Sequence, residues 1–270
     1  MNTPELSIIL PGIRTHNWIR LYDSIIESMG DMAFELIAIG PYDPPAELVT
    51  KENFKFIRDF GNPTRCAMIA TQVAKAPLFI WSVDDGYYYP NALKNAINLW
   101  KELGNEKSAI NLRYNEGRGL TGEAKPLDYW DAEHHAQLHI PGVKPGAKIC
   151  LFGLMSTKYF REIGGFDGRY EYINMNGIDL GFRMQDDGGQ IVLSPDVVMN
   201  LDWLPDPERV DEFGLPDPVI QAFYDHDYPL FLEQYSKLRE YIKIDYNNWM
   251  DISPIWKRRK FNNISQYIHE

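Results

Sequence analysis

Asp84 and Asp85 stand side by side just after the apolar run Leu78-Phe79-Ile80-Trp81, and Gly86 follows them. Such a run reads as a buried strand, since apolar side chains on both faces suit a covered sheet. Two carboxylates at its carboxyl end repel each other unless a cation or hydrogen bonds hold them. Carboxylates are natural ligands of Mg²⁺ or Mn²⁺, and such an ion can also hold a diphosphate. The same three residues are also ordinary turn chemistry, because Asp caps backbone groups and Gly accepts positive φ. The pair alone leaves both readings open.

Other chemistry-bearing residues are scattered along the chain. His135 and His139 have the i,i+4 spacing of a helical zinc pair, with Asp131 four residues before His135. No Glu lies between the two histidines, as a metalloprotease helix requires. A loop folding over a ligand, or a plain polar surface loop, reads equally well for the segment. Lys257 to Lys260 is a short basic run that suits a solvated face or an anionic membrane surface.

The elements that must position these groups alternate strand and helix. Leu6 to Pro11, Phe34 to Ile39, Phe54 to Ile57 and Leu78 to Val83 read as strands. Trp18 to Met29, Thr64 to Ala74 and Pro90 to Leu103 read as helices. This alternation implies an α/β fold with a mostly parallel central sheet flanked by helices, whose ligands collect at the carboxyl ends of the strands. From Asn105 to Ile149 periodicity fades into Gly, Pro and polar residues. Further on, Tyr159 to Ile163 and Ile178 to Gln185 read as helices. Gln190 to Leu193 and Val197 to Met199 read as two strands. A helical tail is expected over Val219 to Ile242. The organisation expected is a main domain over 1–204, made of a nucleotide-binding half (1–104), a loop-rich insertion (105–150) and an acceptor-side half (151–204). A C-terminal helical extension over 205–270 completes it.

Bulk properties narrow the function. The chain has 270 residues, 44% apolar and 13% aromatic, as globular proteins do. A formal charge of -11 argues against a nucleic-acid surface, which needs cationic contacts to phosphates. Two cysteines, Cys66 and Cys150, are too few for a disulfide framework or a cysteine zinc site. No apolar run approaches membrane-spanning length and no signal peptide is visible, so a cytoplasmic protein, in reach of a membrane surface, is expected.

Five segments in order resemble the family 2-like nucleotide-sugar glycosyltransferases of the GT-A fold. They are Leu6 to Pro11, Gly61 to Arg65, Val83 to Leu93, Phe160 to Asp167 (with Gly164-Gly165-Phe166-Asp167), and Asp179 to Arg183. The resemblance covers roughly residues 6 to 200. It implies a metal-dependent, hexosyltransferase-like enzyme. A nucleoside-diphosphate sugar, with UDP favoured, would be the donor, and a glycan or other hydroxyl-bearing molecule the acceptor. Asp85 would bind Mn²⁺ or Mg²⁺ and Asp84 would face ribose or metal. Pro11, Arg14, Asp43 and Arg65 would complete the donor site, and Asp202 would stand where relatives place a further metal ligand. Gly165, Phe166, His134 and His135 would lie on the acceptor side.

One departure bears on the chemistry. The family's general base is the second residue of a Glu-Asp-x-Asp-Leu element, and here Asn176 and Gly177 occupy the Glu and Asp positions. Inverting transfer needs a group to take the acceptor proton. Asp179 is the candidate base, and its other reading is a helix cap or an ion pair with Arg183. A retaining mechanism is open, as is the alternative of a weak or inactive protein of this fold that binds nucleotide or carbohydrate.

Overall fold

The structure is a computed structural model that describes residues 3–116, 125–127, 148–202 and 226–236. In chain order the elements are β1 (Leu6–Pro11), α1 (Trp18–Met29), β2 (Phe34–Gly40), α2 (Ala46–Val49), β3 (Phe54–Arg58) and α3 (Pro63–Val73). Next come β4 (Leu78–Trp81), β5 (Gly86–Tyr88), α4 (Ala92–Leu103), β6 (Ser108–Glu116), β7 (Lys125–Leu127) and β8 (Gly153–Ser156). The last are α5 (Thr157–Glu162), α6 (Ile173–Asp186), β9 (Gln190–Leu201) and α7 (Tyr228–Ser236).

Among the described residues nine strands form one mixed sheet in the order β3-β2-β1-β4-β8-β6-β9-β5, with β7 paired to β6. The pairs β1–β2, β2–β3, β1–β4 and β6–β9 are parallel. β8 is antiparallel to both β4 and β6, so β6 and β9 run in the direction of β4. The carboxyl ends of β1 to β4, β6 and β9 therefore share one edge. α6 leads into β9 at the opposite edge, which puts the start of α6 on that same carboxyl side.

Burial explains the strands. Ile8, Ile9 and Leu10 of β1 and Leu36 to Ile39 of β2 are fully buried, as a sheet covered on both faces requires. The one polar residue inside β1, Ser7, donates to Glu35 and accepts from the Ala76 N–H. Behind the sheet, Phe160 packs edge-on against Phe79 at 4.6 Å and Phe166 at 4.9 Å.

Three expectations shift. The helix read from Pro90 begins at Ala92, because Asn91 adopts a left-handed conformation with φ 59°. Ser108–Glu116, read as the start of a loop-rich stretch, is a nine-residue strand at the heart of the sheet. The two short strands read at 190–199 are one strand, β9, whose register against β6 slips between Leu193 and Val197. That bulge is where a strand tolerates Pro195. Ser194 ties it down, accepting from the Arg113 N–H and donating to the Asp196 carbonyl. Of the helical tail, Tyr228–Ser236 lies among the described residues. No described helix is long and apolar enough to cross a membrane.

Candidate functional site

The two adjacent carboxylates do different things. Asp84 is buried at the carboxyl edge, where the loop after β1 wraps its side chain. The Ile13 and Arg14 N–H groups each donate to its Oδ2 at 2.6 Å, and Arg14 Nη1 donates to Oδ1 at 2.8 Å. A Cβ on Gly12 would come within 3.1 Å of Asp84 Oδ2 and of the Trp18 indole, so the loop closes this tightly only on glycine. Asp84 thereby holds Arg14 and the end of Pro11 in place. Charge-assisted bonds of this kind are the strong ones.

Asp85 is half-buried, and its carbonyl accepts the Asp202 N–H at 2.6 Å. This bond continues the antiparallel ladder in which Gly86 faces Leu201. Two residues 117 positions apart are thus brought together by β5 and β9. Gly86 is not a positive-φ glycine. A Cβ there would sit 2.7 Å from the Asn200 carbonyl oxygen, so close approach of β9 explains it rather than turn conformation. Arg20 from α1 pairs with Asp202 and lies over the Tyr87 ring at 5.6 Å. Three carboxylates, Asp84, Asp85 and Asp202, and two guanidiniums, Arg14 on Asp84 and Arg20 on Asp202, so gather at one strand edge.

The other residues expected at the donor site have partners of their own. Arg65, in the first turn of α3, forks onto Asp59 at 3.0–3.2 Å. The Asn62 side chain caps the same turn by accepting the Arg65 N–H. Asp43 is largely exposed and pairs with Arg58, whereas its neighbour Tyr42 is buried. β2 ends in Gly40 rather than in a carboxylate because a Cβ there would run into the Gly12 carbonyl.

Where the acceptor side was expected, Gly164 and Gly165 take φ of 97° and 68°, which turns the chain out of α5. Phe166 is a core residue, 1% exposed. Asp179 is fully buried in α6, and Arg183 Nε donates to its Oδ2 at 2.8 Å. Arg183 also donates to the Ile163 and Gly165 carbonyls. The structure thus shows the i,i+4 ion pair for Asp179, set against the back of the Gly-Gly turn. Asn176 is buried too, and donates to Thr64 at the start of α3 at 2.9 Å.

Gly177, the position where the family places its base, has a packing reason. The segment Lys148 to Leu151 lies directly on α6. The Cys150 N–H donates to the Gly177 carbonyl at 2.9 Å. A Cβ on Gly177 would be 2.8 Å from the Cys150 carbonyl oxygen, and one on Gly181 would be 2.7 Å from that of Lys148. Restoring the carboxylate by Gly177→Asp is therefore expected to destabilise the protein by about 1–3 kcal/mol despite the better helix propensity. Thermal unfolding checks this, and a rise in Tm would contradict it. Cys150 is itself inert, its thiol pushed up to about 12 by burial.

His134 and His135, with His139 and Asp131 of the zinc reading, lie outside the described residues. Among the described residues no group of three or more His, Cys, Asp and Glu is placed to hold a metal. One pair escaped the sequence reading. Asp227, just before α7, is completely buried and accepts the Glu171 and Tyr172 N–H groups that precede α6. His226 Nδ1 lies 2.8 Å from Asp227 Oδ1. Burial raises the Asp227 pKa, against the two backbone donors and the imidazole. The Asp225-His226-Asp227 run was the available signal.

The curled, mostly parallel sheet with its flanking helices is similar to a glycosyltransferase fold. Solved structures that share it include those of TarS from S. aureus. A crystal structure of TarS matches with a TM-score of 0.56 and 14% identity, covering 98% of this chain and 46% of that one. TarS 1–349 matches at 0.55, 14% identity, 97% and 73% coverage. TarS 1–349 in complex with UDP matches at 0.56, 14% identity, 98% and 75% coverage. This chain thus spans less than half of the first of these. The likeness shows a shared fold. No family model and no curated protein matches the sequence.

Proposed function

We propose that the protein is a glycosyltransferase that takes a nucleoside-diphosphate sugar, UDP favoured, and moves the sugar to an acceptor hydroxyl. One observation carries the reading: β5 and β9 bring Asp85 and Asp202 together at the carboxyl edge, where Arg14 pairs with the adjacent Asp84 and Arg20 with Asp202. The UDP-bound state of a protein of the same fold supports the choice of nucleotide.

The donor set suits Mg²⁺ or Mn²⁺. Such ions are held by one or two carboxylates plus substrate phosphates rather than by an all-protein cage. Asp85 would supply one and Asp202, which also accepts from Arg20, the other, whereas Asp84 is enclosed by the β1 loop. When bound, the ion would offset negative charge on the diphosphate. Arg14 and Arg20 add fixed positive charge beside it, where charge builds as the sugar–phosphate bond breaks.

Calorimetry with UDP and a UDP-release assay over several UDP- and GDP-sugars test the proposal. UDP affinity is expected to rise at least about tenfold, roughly 1.4 kcal/mol, when Mn²⁺ is added, and to fall back with a chelator. Absence of both binding and release with any nucleotide sugar overturns it. A second reading, a binding protein without turnover, is favoured by one observation. The backbone fills the Gly177 position and Asp179 is committed to Arg183. Binding without release would select it.

A further inference from the structure

An inverting transferase needs a group to take the acceptor proton, and the expected position is filled by backbone. The start of α6 nevertheless carries a proton acceptor from elsewhere in the chain. Asp227, with no exposed side-chain surface, is held by the Glu171 and Tyr172 N–H groups. It faces His226 Nδ1 at 2.8 Å, and His226 keeps 24% of its side chain exposed. A buried carboxylate bound to one imidazole nitrogen fixes the tautomer and leaves the other free to take a proton. Phe231 of α7, packed against Tyr170 and Phe182, anchors the segment to α6. The location also fits. α6 starts on the carboxyl edge, and Asn176 in its first turn touches Thr64 at the head of α3.

We infer that His226, oriented by Asp227, is the general base that deprotonates the acceptor hydroxyl. The inference rests on the transferase reading above. In the step, His226 Nε2 takes the hydroxyl proton as the acceptor oxygen bonds to the anomeric carbon. The bond from that carbon to the diphosphate oxygen breaks, and its electron pair leaves with the nucleoside diphosphate. The imidazolium then returns its proton to solvent. His226 is the catalytic residue and Asp227 a positioning one. The titratable groups around the pair are Tyr170 and Glu171 before α6 and Tyr228 on α7. Tyr170 also senses Asp167, Arg169 and Asp179, and each of those carboxylates is paired with an arginine. Asp227 is the carboxylate in hydrogen-bond contact with the ring.

The test uses UDP release from the UDP-sugar that the wild-type chain hydrolyses fastest, with water as the acceptor, across pH. The wild-type rate is expected to fall at low pH as the ring takes its proton before the reaction. His226→Gln is expected to lower kcat roughly 100-fold and to remove that acidic limb, with UDP affinity unchanged by calorimetry. Asp227→Asn is expected to lower kcat about tenfold, because an amide no longer fixes the tautomer, again without changing UDP affinity. Melting curves show whether each variant is folded at the assay temperature. A His226→Gln protein that keeps more than a third of the rate, or keeps the acidic limb, overturns the inference while donor binding stands. A variant that loses UDP affinity instead also overturns it, since the ring would then serve the donor. Failure of the wild-type chain to bind UDP overturns the transferase reading along with it.

Discussion

Asp85→Ala is expected to lower UDP release roughly 100-fold or more. Asp84→Ala, one residue away, is expected to do something different. The Asp85 side chain is half-buried at the strand edge, and the bond to Asp202 runs through its backbone carbonyl. Truncating the side chain leaves that ladder intact and removes a carboxylate from the proposed diphosphate site. Added Mn²⁺ should then no longer raise UDP affinity. Asp84, by contrast, holds two N–H groups and one guanidinium, all at 2.6–2.8 Å. Its removal orphans three donors in a buried loop, which costs about 3 kcal/mol and lowers Tm by roughly 6–12 °C. Activity would follow, since Arg14 loses its anchor, but Asp84→Asn should recover part of the stability by accepting from one or two of the donors. Kinetics with and without Mn²⁺, set beside thermal melts of the three variants, separate the roles. Equal losses of stability at both positions would mean that Asp85 is a turn residue and nothing more.

What the sequence disclosed depended on how local the determining interactions are. α1 runs from Trp18 to Met29 as its apolar spacing implies, and the buried strands β1, β2 and β4 were equally plain. β6 was not, although Ile110, Leu112 and Tyr114 alternate with Asn111, Arg113 and Asn115. Asn111 confuses the pattern because it too is buried, where its side chain accepts the Phe152 N–H just before β8 begins. A polar residue satisfied by a partner 41 positions away looks like a loop residue in one dimension. The site divides the same way. The acidic pair and the Gly-Gly turn could be found by their neighbours in sequence. That Asp84 is the enclosed one could not, since the first loop, distant in sequence, binds it. Gly177 likewise reads as a missing base until the 148–151 segment is seen lying on it. Asp227 reaches α6 across 55 residues, beyond any periodicity.

Asp179→Ala is expected to be among the most destabilising single changes in the protein, and its effect bears on whether Asp179 has any part in proton transfer. The Asp179 and Arg183 side chains are 1% and 3% exposed. Removing one partner leaves the other charge buried and uncompensated, which costs about 3–5 kcal/mol. Here Arg183 also bridges the Ile163 and Gly165 carbonyls, so losing its anchor loosens the turn after α5. Asp179→Leu with Arg183→Met should recover only part of that loss. The buried charges would be gone, but two carbonyls would lose their donors, at about 1–3 kcal/mol each. Thermal and urea unfolding of the two single variants and the double variant measure this coupling. The kinetic expectation is equally specific. Asp179→Asn should melt earlier, yet the protein that remains folded at low temperature should release UDP at near the wild-type rate with its acidic limb in place. A loss of about 100-fold in the fully folded Asp179→Asn protein would make Asp179 the base and leave His226 without that role.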